Sequence, residues 1–218
     1  SANWMAASGE NSDDFALRSG VEALSKIAVD LKVSIPVGKD SLSMRTKWSE
    51  NNSDYEVSSP LSGVITAMAP VDDVTESVTP ELNTSDDTSI LLIKLNNKNR
   101  LAGSIFSEIT ETKYQHTPDI DDIEVFEKLF SGIQNLLKNK KILAMHDISD
   151  GGLITTLLEM CFTKKVGMRL DLDDSSGVNE FLFSEEIGFA IQIKKNNLDE
   201  ITNTLTNENI YVKNIAEI

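Results

Sequence analysis

The pattern of apolar and polar residues predicts an α/β (α+β) chain. Two segments, 13–31 and 123–139, carry apolar residues at spacings near three and four, as amphipathic helices do. Two others are short and read as strands, 89–95 through its apolar run and 187–193 through alternating apolar residues. Segments of the two kinds alternate along the chain, and that alternation builds layered helix-and-sheet folds.

In the first helix the apolar positions are Phe15, Leu17, Val21, Leu24, Ile27, Ala28 and Leu31, with Ser12 or Asp13 placed to cap it. Residues 33–37 read as a short strand ending at Gly38, with Pro36 suited to an edge. Residues 49–58 are polar and hold Asn51, Asn52, Ser53 and Asp54, a turn signal. Residues 61–71 are apolar with small residues interspersed and read as a buried strand. An acidic, Thr- and Ser-rich stretch with Pro80, residues 72–88, reads as a linker between segments 1–75 and 76–218. After the strand at 89–95 come a turn at 96–99 and a short helix within 101–109. The helix at 123–139 gathers Val125, Phe126, Leu129, Phe130, Ile133, Leu136 and Leu137 on one face. A buried strand at 142–145 leads through Gly151 and Gly152 into a helix at 153–162. Strands at 166–172, 187–193 and 210–215 and a helix at 198–205 complete the chain.

The charge narrows the partners. Lys plus Arg is 20 and Asp plus Glu is 35, for a net charge of −15. That excess argues against nucleic acid and against an anionic membrane surface. It is compatible with a nucleotide, because Mg²⁺ bridges phosphates to carboxylates. The single cysteine, Cys161, allows no intrachain disulfide and suits a reducing compartment. No run approaches 18 apolar residues, so no membrane span is expected. The opening residues hold no basic leader and no apolar signal core, so a cytoplasmic chain is the expectation, and the start at Ser1 without Met suits either a piece excised from a longer polypeptide or a processed start.

Two constellations carry chemistry. The first runs Gly38, Lys39, Asp40, Ser41, Leu42, Ser43, Met44, directly after an expected strand. A glycine there lets the backbone approach a ligand, and successive amides can face an anion. Lys39 adds a cation, Ser41 and Ser43 add hydroxyls, and Asp40 is a candidate metal ligand. A plain solvated β-turn has the same composition. A Walker A loop is excluded, since the upstream glycine at the required spacing is missing. The second runs His146, Asp147, Ile148, Ser149, Asp150, Gly151, Gly152, Leu153, between a strand and a helix. Ligands of α/β folds bind at such strand-to-helix turns. Asp147 and Asp150 suit Mg²⁺, and Ser149 can donate to a phosphate. The plain alternative is that Ser149 or Asp150 caps the helix. His116 reads as a solvated loop residue, and Cys161 as a core residue on an apolar helix face. The run Ser184, Glu185, Glu186 reads either as an acidic patch supporting a site or as a surface turn, and 171–174 as a solvated loop.

Taken in order, several strings resemble one family. They are Ser1-Ala-Asn-Trp-Met-Ala-Ala7, Ile35-Pro-Val-Gly-Lys-Asp-Ser-Leu-Ser-Met44, Ser59-Pro-Leu-Ser62, His146-Asp-Ile-Ser-Asp-Gly-Gly-Leu153 and Leu157-Leu-Glu-Met160. Together they resemble the large, single-chain phosphoribosylformylglycinamidine synthases, over nearly the whole chain. The resemblance implies an aminoimidazole ribonucleotide synthase-like fold, with part of an amino-side subdomain followed by a carboxyl-side α/β subdomain. It implies the second half of the synthetase region of a ligase in purine biosynthesis. That ligase uses ATP and glutamine to convert formylglycinamide ribonucleotide to its amidine. It implies Ser41 near the substrate, Gly38 and Lys39 near ATP, Asp147 as a Mg²⁺ ligand and Ser149 as a contact to a structural ADP. The partners implied are the first synthetase half and a glutaminase domain of the same polypeptide. The remaining family ligands and catalytic groups would lie outside this chain, so the chain alone is expected to be inactive. The alternatives are a non-catalytic scaffold half and a stand-alone relative such as aminoimidazole ribonucleotide synthase.

Overall fold

The computed structural model describes residues 1–9, 11–84, 87–172 and 177–217. They fall into two compact units, Ser1–Asp72 and Asp73–Ile218.

In the first unit β1 (Ala2–Met5) is followed by α1 (Asn11–Asp30), β2 (Gly38–Ser41), β3 (Arg45–Glu50), β4 (Ser53–Ser58) and β5 (Ser62–Ile65). Strand β1 lies between β2, to which it is parallel, and β5, to which it is antiparallel. The Trp4 indole packs against Gly20 of α1 and Gly63 of β5. Strands β3 and β4 form a separate hairpin, in register from Arg45 opposite Ser58 to Glu50 opposite Ser53. Its two-residue turn is Asn51-Asn52, with φ of 51° and 61°. Two successive positive φ values make the turn whose twist matches paired strands, and Asn tolerates them. Trp48 and Tyr55 face each other across the hairpin and stack, centroids 5.3 Å apart.

Two expected strands in this unit are corrected. Residues 33–37 are not a strand. The end of α1 is closed by Val33 donating to Ala28 at 2.8 Å, with Lys32 left-handed at φ 55°, and pairing with β1 begins only at Gly38. Residues 61–71 do not form a buried strand. Only Ser62–Ile65 pairs, and Val64, Ile65 and Met68 are exposed.

The second unit contains β6 (Thr88–Lys94), α2 (Ile105–Ile109), α3 (Ile123–Lys138), β7 (Ile142–Asp147), α4 (Gly152–Lys164), β8 (Arg169–Leu170), α5 (Val178–Phe183), β9 (Gly188–Lys194), α6 (Leu198–Thr206) and β10 (Tyr211–Glu217). Within the stretch expected to be a linker, Val74–Glu76 makes one 3₁₀ turn, capped by Asp73. The strands form one antiparallel sheet in the order β7-β9-β6-β10-β8. Both faces are covered. Ile90 and Leu92 of β6 pack with Leu153, Leu157 and Met160 of α4. Leu91 and Ile93 pack with Leu129 and Ile133 of α3 and with Ile201 and Leu205 of α6. A central strand buried on both faces needs apolar residues at every position, which is why Ile90-Leu91-Leu92-Ile93 runs without alternation.

The 166–172 strand shrinks to Arg169–Leu170, paired with the end of β10. The 101–109 helix starts at Ile105, where Ser104 accepts from the Ser107 amide at 3.2 Å. Helix α5 carries too short a pattern to be read from the sequence. Strand β7 continues past its apolar run through His146 and Asp147, because β9 still pairs with it there, His146 opposite Ala190 and Asp147 opposite Phe189.

Candidate functional site

The turn from β7 to α4 is pinned at each step. The Ile148 amide donates to the Gly188 carbonyl at 2.9 Å, carrying the sheet pairing one residue beyond β7. The Thr156 hydroxyl, one turn into α4, donates back to the Asp147 carbonyl at 3.0 Å. Gly152 donates to Ser149 at 2.9 Å and closes the turn. Gly151 and Gly152 have φ of 86° and 72°, where a side chain is strained. At Gly152 a Cβ would also lie 2.6 Å from the Phe183 carbonyl carbon. The turn is therefore tight because the chain preceding β9 presses on it.

The helix is not capped by Ser149 or Asp150. Its N-cap is Gly151, with no side-chain cap from the turn itself. The Gly151 amide instead donates to Glu185 at 2.9 Å, and the same carboxylate oxygen accepts from the Ile105 amide at 3.0 Å. Glu185 thus meets the amino-terminal ends of α4 and α2 together, where a negative charge is favoured. The side chains of the turn are left to solvent: Asp147, Ser149 and Asp150 are all exposed. Asp147 keeps one contact, from Oδ1 to His146 Nδ1 at 3.1 Å. The far side of that ring, Nε2, lies 2.8 Å from Glu159 of α4.

Among the described residues no three His, Cys, Asp or Glu side chains gather as a metal site. Asp147 nevertheless fits as one ligand of Mg²⁺, which takes one or two carboxylates and completes its octahedron with water and phosphate. Ser149 offers a hydroxyl two residues away, on the same exposed turn.

Gly38, Lys39 and Ser41 lie in the other unit, in β2. They are an edge strand and neither the loop nor the β-turn that the sequence suggested. Gly38 is forced by close approach, since a Cβ there would sit 2.2 Å from the Ala2 carbonyl oxygen. The Lys39 ammonium folds along the strand, donating to the Asp40 carbonyl at 2.9 Å and to the Ser41 hydroxyl. Lys39 and Asp40 are exposed and Ser41 is half-buried. Strand geometry brings Lys39 and Ser41 into contact, because residues two apart share a face.

Two family models match the chain in sequence order. Residues 1–70 match the FGAR-AT PurM_N-like domain, and residues 87–218 match the AIR synthase related protein, C-terminal domain. The chain belongs to the AIR synthase-related family. The fold of this family member is shared by solved structures of low identity. Thermotoga maritima PurL complexed with FGAR matches at a TM-score of 0.64 and 12% identity, over 99% of this chain and 34% of that one. The same protein complexed with ADP matches at 0.62 and 10%, over 99% and 32%. Escherichia coli HypE matches at 0.64 and 12%, over 99% and 65%. This chain therefore spans about a third of the PurL chains. No helix among the described residues is long and apolar enough to cross a membrane.

Other sequence readings find their places in the family fold. His116 is exposed. Cys161, on α4, is partly buried and packs against the core, and burial pushes its thiol pKa up. The 184–186 run is structural: Ser184 and Glu186 are buried, and Glu185 holds Gly151. Of the acidic loop at 171–174, Asp171 donates to the Ile215 carbonyl at 2.8 Å, while residues 173 and 174 lie outside the described residues. Sequence reasoning missed Glu159 and Thr156 as supports of the turn. The signal was their spacing: both lie on the α4 face that carries Gly152 at its start.

Proposed function

We propose that this chain is part of a glutamine- and ATP-dependent ligase that converts formylglycinamide ribonucleotide to its amidine in purine biosynthesis. One observation carries the reading: an FGAR-AT-type domain match over residues 1–70 precedes an AIR synthase-related match over residues 87–218 on one chain. The likeness to Thermotoga maritima PurL, solved in complex with ATP, with ADP and with FGAR, supports the same reading. ATP, when bound, supplies the phosphoryl group that makes the formamide oxygen replaceable by ammonia.

The residues of this chain take the following parts. Gly38, whose missing side chain makes room for the Ala2 carbonyl, lies near ATP, and Lys39 meets a phosphate. The half-buried Ser41 orients the substrate. Lys39 donates to the Ser41 hydroxyl, and a phosphate meeting Lys39 would compete for that ammonium. At the β7–α4 turn, Asp147 holds Mg²⁺ and Ser149 contacts the phosphates of a structural ADP. The first synthetase half and a glutaminase domain complete the enzyme, in the cytoplasm.

The experiment is an assay of the full polypeptide encoded by the parent reading frame, with ATP, glutamine and formylglycinamide ribonucleotide. Wild type should form the amidine, and Ser41→Ala should lower kcat/KM by about tenfold or more. Unchanged kinetics in Ser41→Ala would move the assignment to a scaffold half that binds ADP and positions the glutaminase. A second reading is a stand-alone AIR synthase-like enzyme, favoured by the larger share of HypE that this chain covers. Absence of amidine formation by wild type, with a parent frame of HypE-like length, decides for it.

A further inference from the structure

Three amides of the β7–α4 turn already have acceptors within the protein. Ile148 donates to the Gly188 carbonyl, Gly151 to the Glu185 carboxylate and Gly152 to the Ser149 carbonyl. The amino-terminal end of a helix is where a phosphate is ordinarily met, by amides that point at it. At α4 that place is held by a carboxylate of the protein itself, brought from 34 residues away.

Glu185 differs from its neighbour in how its charge is met. Glu186 is buried and gripped by Arg100, whereas the half-buried Glu185 accepts from the amides of Gly151 and Ile105. Residues 146–153 add two exposed carboxylates, Asp147 and Asp150, and contain no Lys or Arg. His146 lies between Asp147 and Glu159, 3.1 Å from the one and 2.8 Å from the other. An anion arriving alone at Ser149 therefore meets like charge, with the Gly151 amide already taken. A divalent cation inverts that field and turns the same carboxylates into attraction.

We propose that Glu185 is a specificity-determining residue: by filling the amino-terminal end of α4 it makes this turn accept a nucleoside diphosphate as its divalent-metal complex and refuse the metal-free form. This rests on the reading of Asp147 and Ser149 given above. Discrimination between two ligands is a difference of affinities, obtained as much by repelling the wrong one as by attracting the right one. Like charges set side by side penalise the unwanted ligand. Glu185 supplies the repulsion, and Asp147 supplies a metal ligand that only the complex can use.

The test uses the full polypeptide stripped of nucleotide and metal, with ADP titrated by calorimetry in EDTA and again in excess Mg²⁺. Wild type should bind ADP about 100-fold more tightly with Mg²⁺. Glu185→Gln keeps an oxygen for the Gly151 and Ile105 amides and removes the charge. It should bind metal-free ADP about tenfold more tightly than wild type, and Mg·ADP within about threefold of it. Glu185→Ala, which also releases the Gly151 amide, should gain at least as much on metal-free ADP. An unchanged ratio of the two affinities in both variants, including an equal loss of both forms, would overturn the selection and leave Glu185 a structural clamp. Equal binding of both forms by wild type would overturn it as well. Asp147→Asn should lose the preference for Mg·ADP. If Asp147→Asn keeps that preference, the assignment of Asp147 itself is overturned, and the selection by Glu185 with it.

Discussion

The Gly151 amide donates to the Glu185 carboxylate at 2.9 Å, so the amino terminus of α4 is met by a charge from a distant part of the chain. The contact spans 34 residues and ties the turn before α4 to the segment before β9. Glu185 Oε1 also accepts from Ile105 at 3.0 Å. Removing the carboxylate leaves two amide donors without that partner. Glu185→Ala should therefore cost about 1–3 kcal/mol, measured by urea unfolding of the chain. Hydrogen exchange at Gly151 and Ile105 should accelerate together. Acceleration at only one of them would show that the shared oxygen is not what holds the two helix ends.

Gly152 should tolerate no side chain. Its φ is 72°, and a Cβ would meet Phe183 backbone at 2.6 Å and the Ser184 carbonyl oxygen at 2.8 Å. Neither neighbour is the flexible end of a side chain. Backbone strain at such positions costs about 1–3 kcal/mol before any clash is counted. Gly152→Ala should exceed that range, and Gly167→Ala, where a Cβ meets nothing within 4 Å, serves as the control. Equal losses in the two variants would remove the steric argument.

How much of this was legible follows from where each signal resides. The second unit is readable because its core residues are local patterns. The unbroken apolar run of β6 and the helical face of α3 each declare themselves within a few residues. The first unit is harder, because its pairing is set by distant partners and little of its apolar surface is buried. Phe15, Val29 and Met68 are 72%, 73% and 92% exposed, so hydrophobicity there does not mark strands. The GKDS segment has the composition of a ligand loop or a solvated turn, while Ala2 to Met5 pair with it as a strand. At the β7–α4 turn the sequence names Asp147 and Ser149 but not what steadies them. Glu185 meets Gly151 from 34 positions away and Glu159 meets His146 from 13, and only the fold brings them to the turn.

Lys94 gives the chain a pH dependence of defined sign. It is 3% exposed, and its ammonium donates to the Lys98 carbonyl and to Asn99 Oδ1, both at 2.6 Å. Burial drives its pKa down to about 8, with Glu186 opposing and Arg100 adding to the fall. In the unfolded chain a lysine titrates near ~10.4. Between about 8 and ~10.4 the unfolded chain keeps a proton that the folded chain has released, so stability rises with pH across that window. Below it the cost of the buried charge is fully present, on the order of 3 kcal/mol. Wild type should therefore gain on Lys94→Met as pH rises from 8 to 10 in denaturant titrations. Parallel stability curves for the two proteins would mean that the ammonium is not destabilised by its burial.

Arg100 and Glu186 form the most enclosed ion pair of the second unit's described residues. Their side chains are 13% and 3% exposed. The guanidinium grips the carboxylate at two points, Nε to Oε1 and Nη2 to Oε2, both at 2.7 Å, and the Arg100 amide adds a third contact at 3.0 Å. Asp121 takes the outer side of the guanidinium at 3.0 and 3.2 Å. The Glu186 hydrogen bond is the largest of the influences that raise the Arg100 pKa, so the arginine stays charged at any working pH. Breaking such a pair leaves a charge buried without its partner, which costs about 3–5 kcal/mol. Replacing both partners by apolar residues removes the desolvated charges together and is often close to neutral. Arg100→Met and Glu186→Leu alone should each lose stability on that scale, and the double variant should lose much less than their sum. The double variant still loses the tether on the Arg100 amide, so it should not exceed wild type. Unfolding of the four proteins in urea at one pH gives the coupling directly. Additive losses would show that the arginine is carried by Asp121 and solvent, and that the link from residue 100 to the start of β9 is made by packing alone.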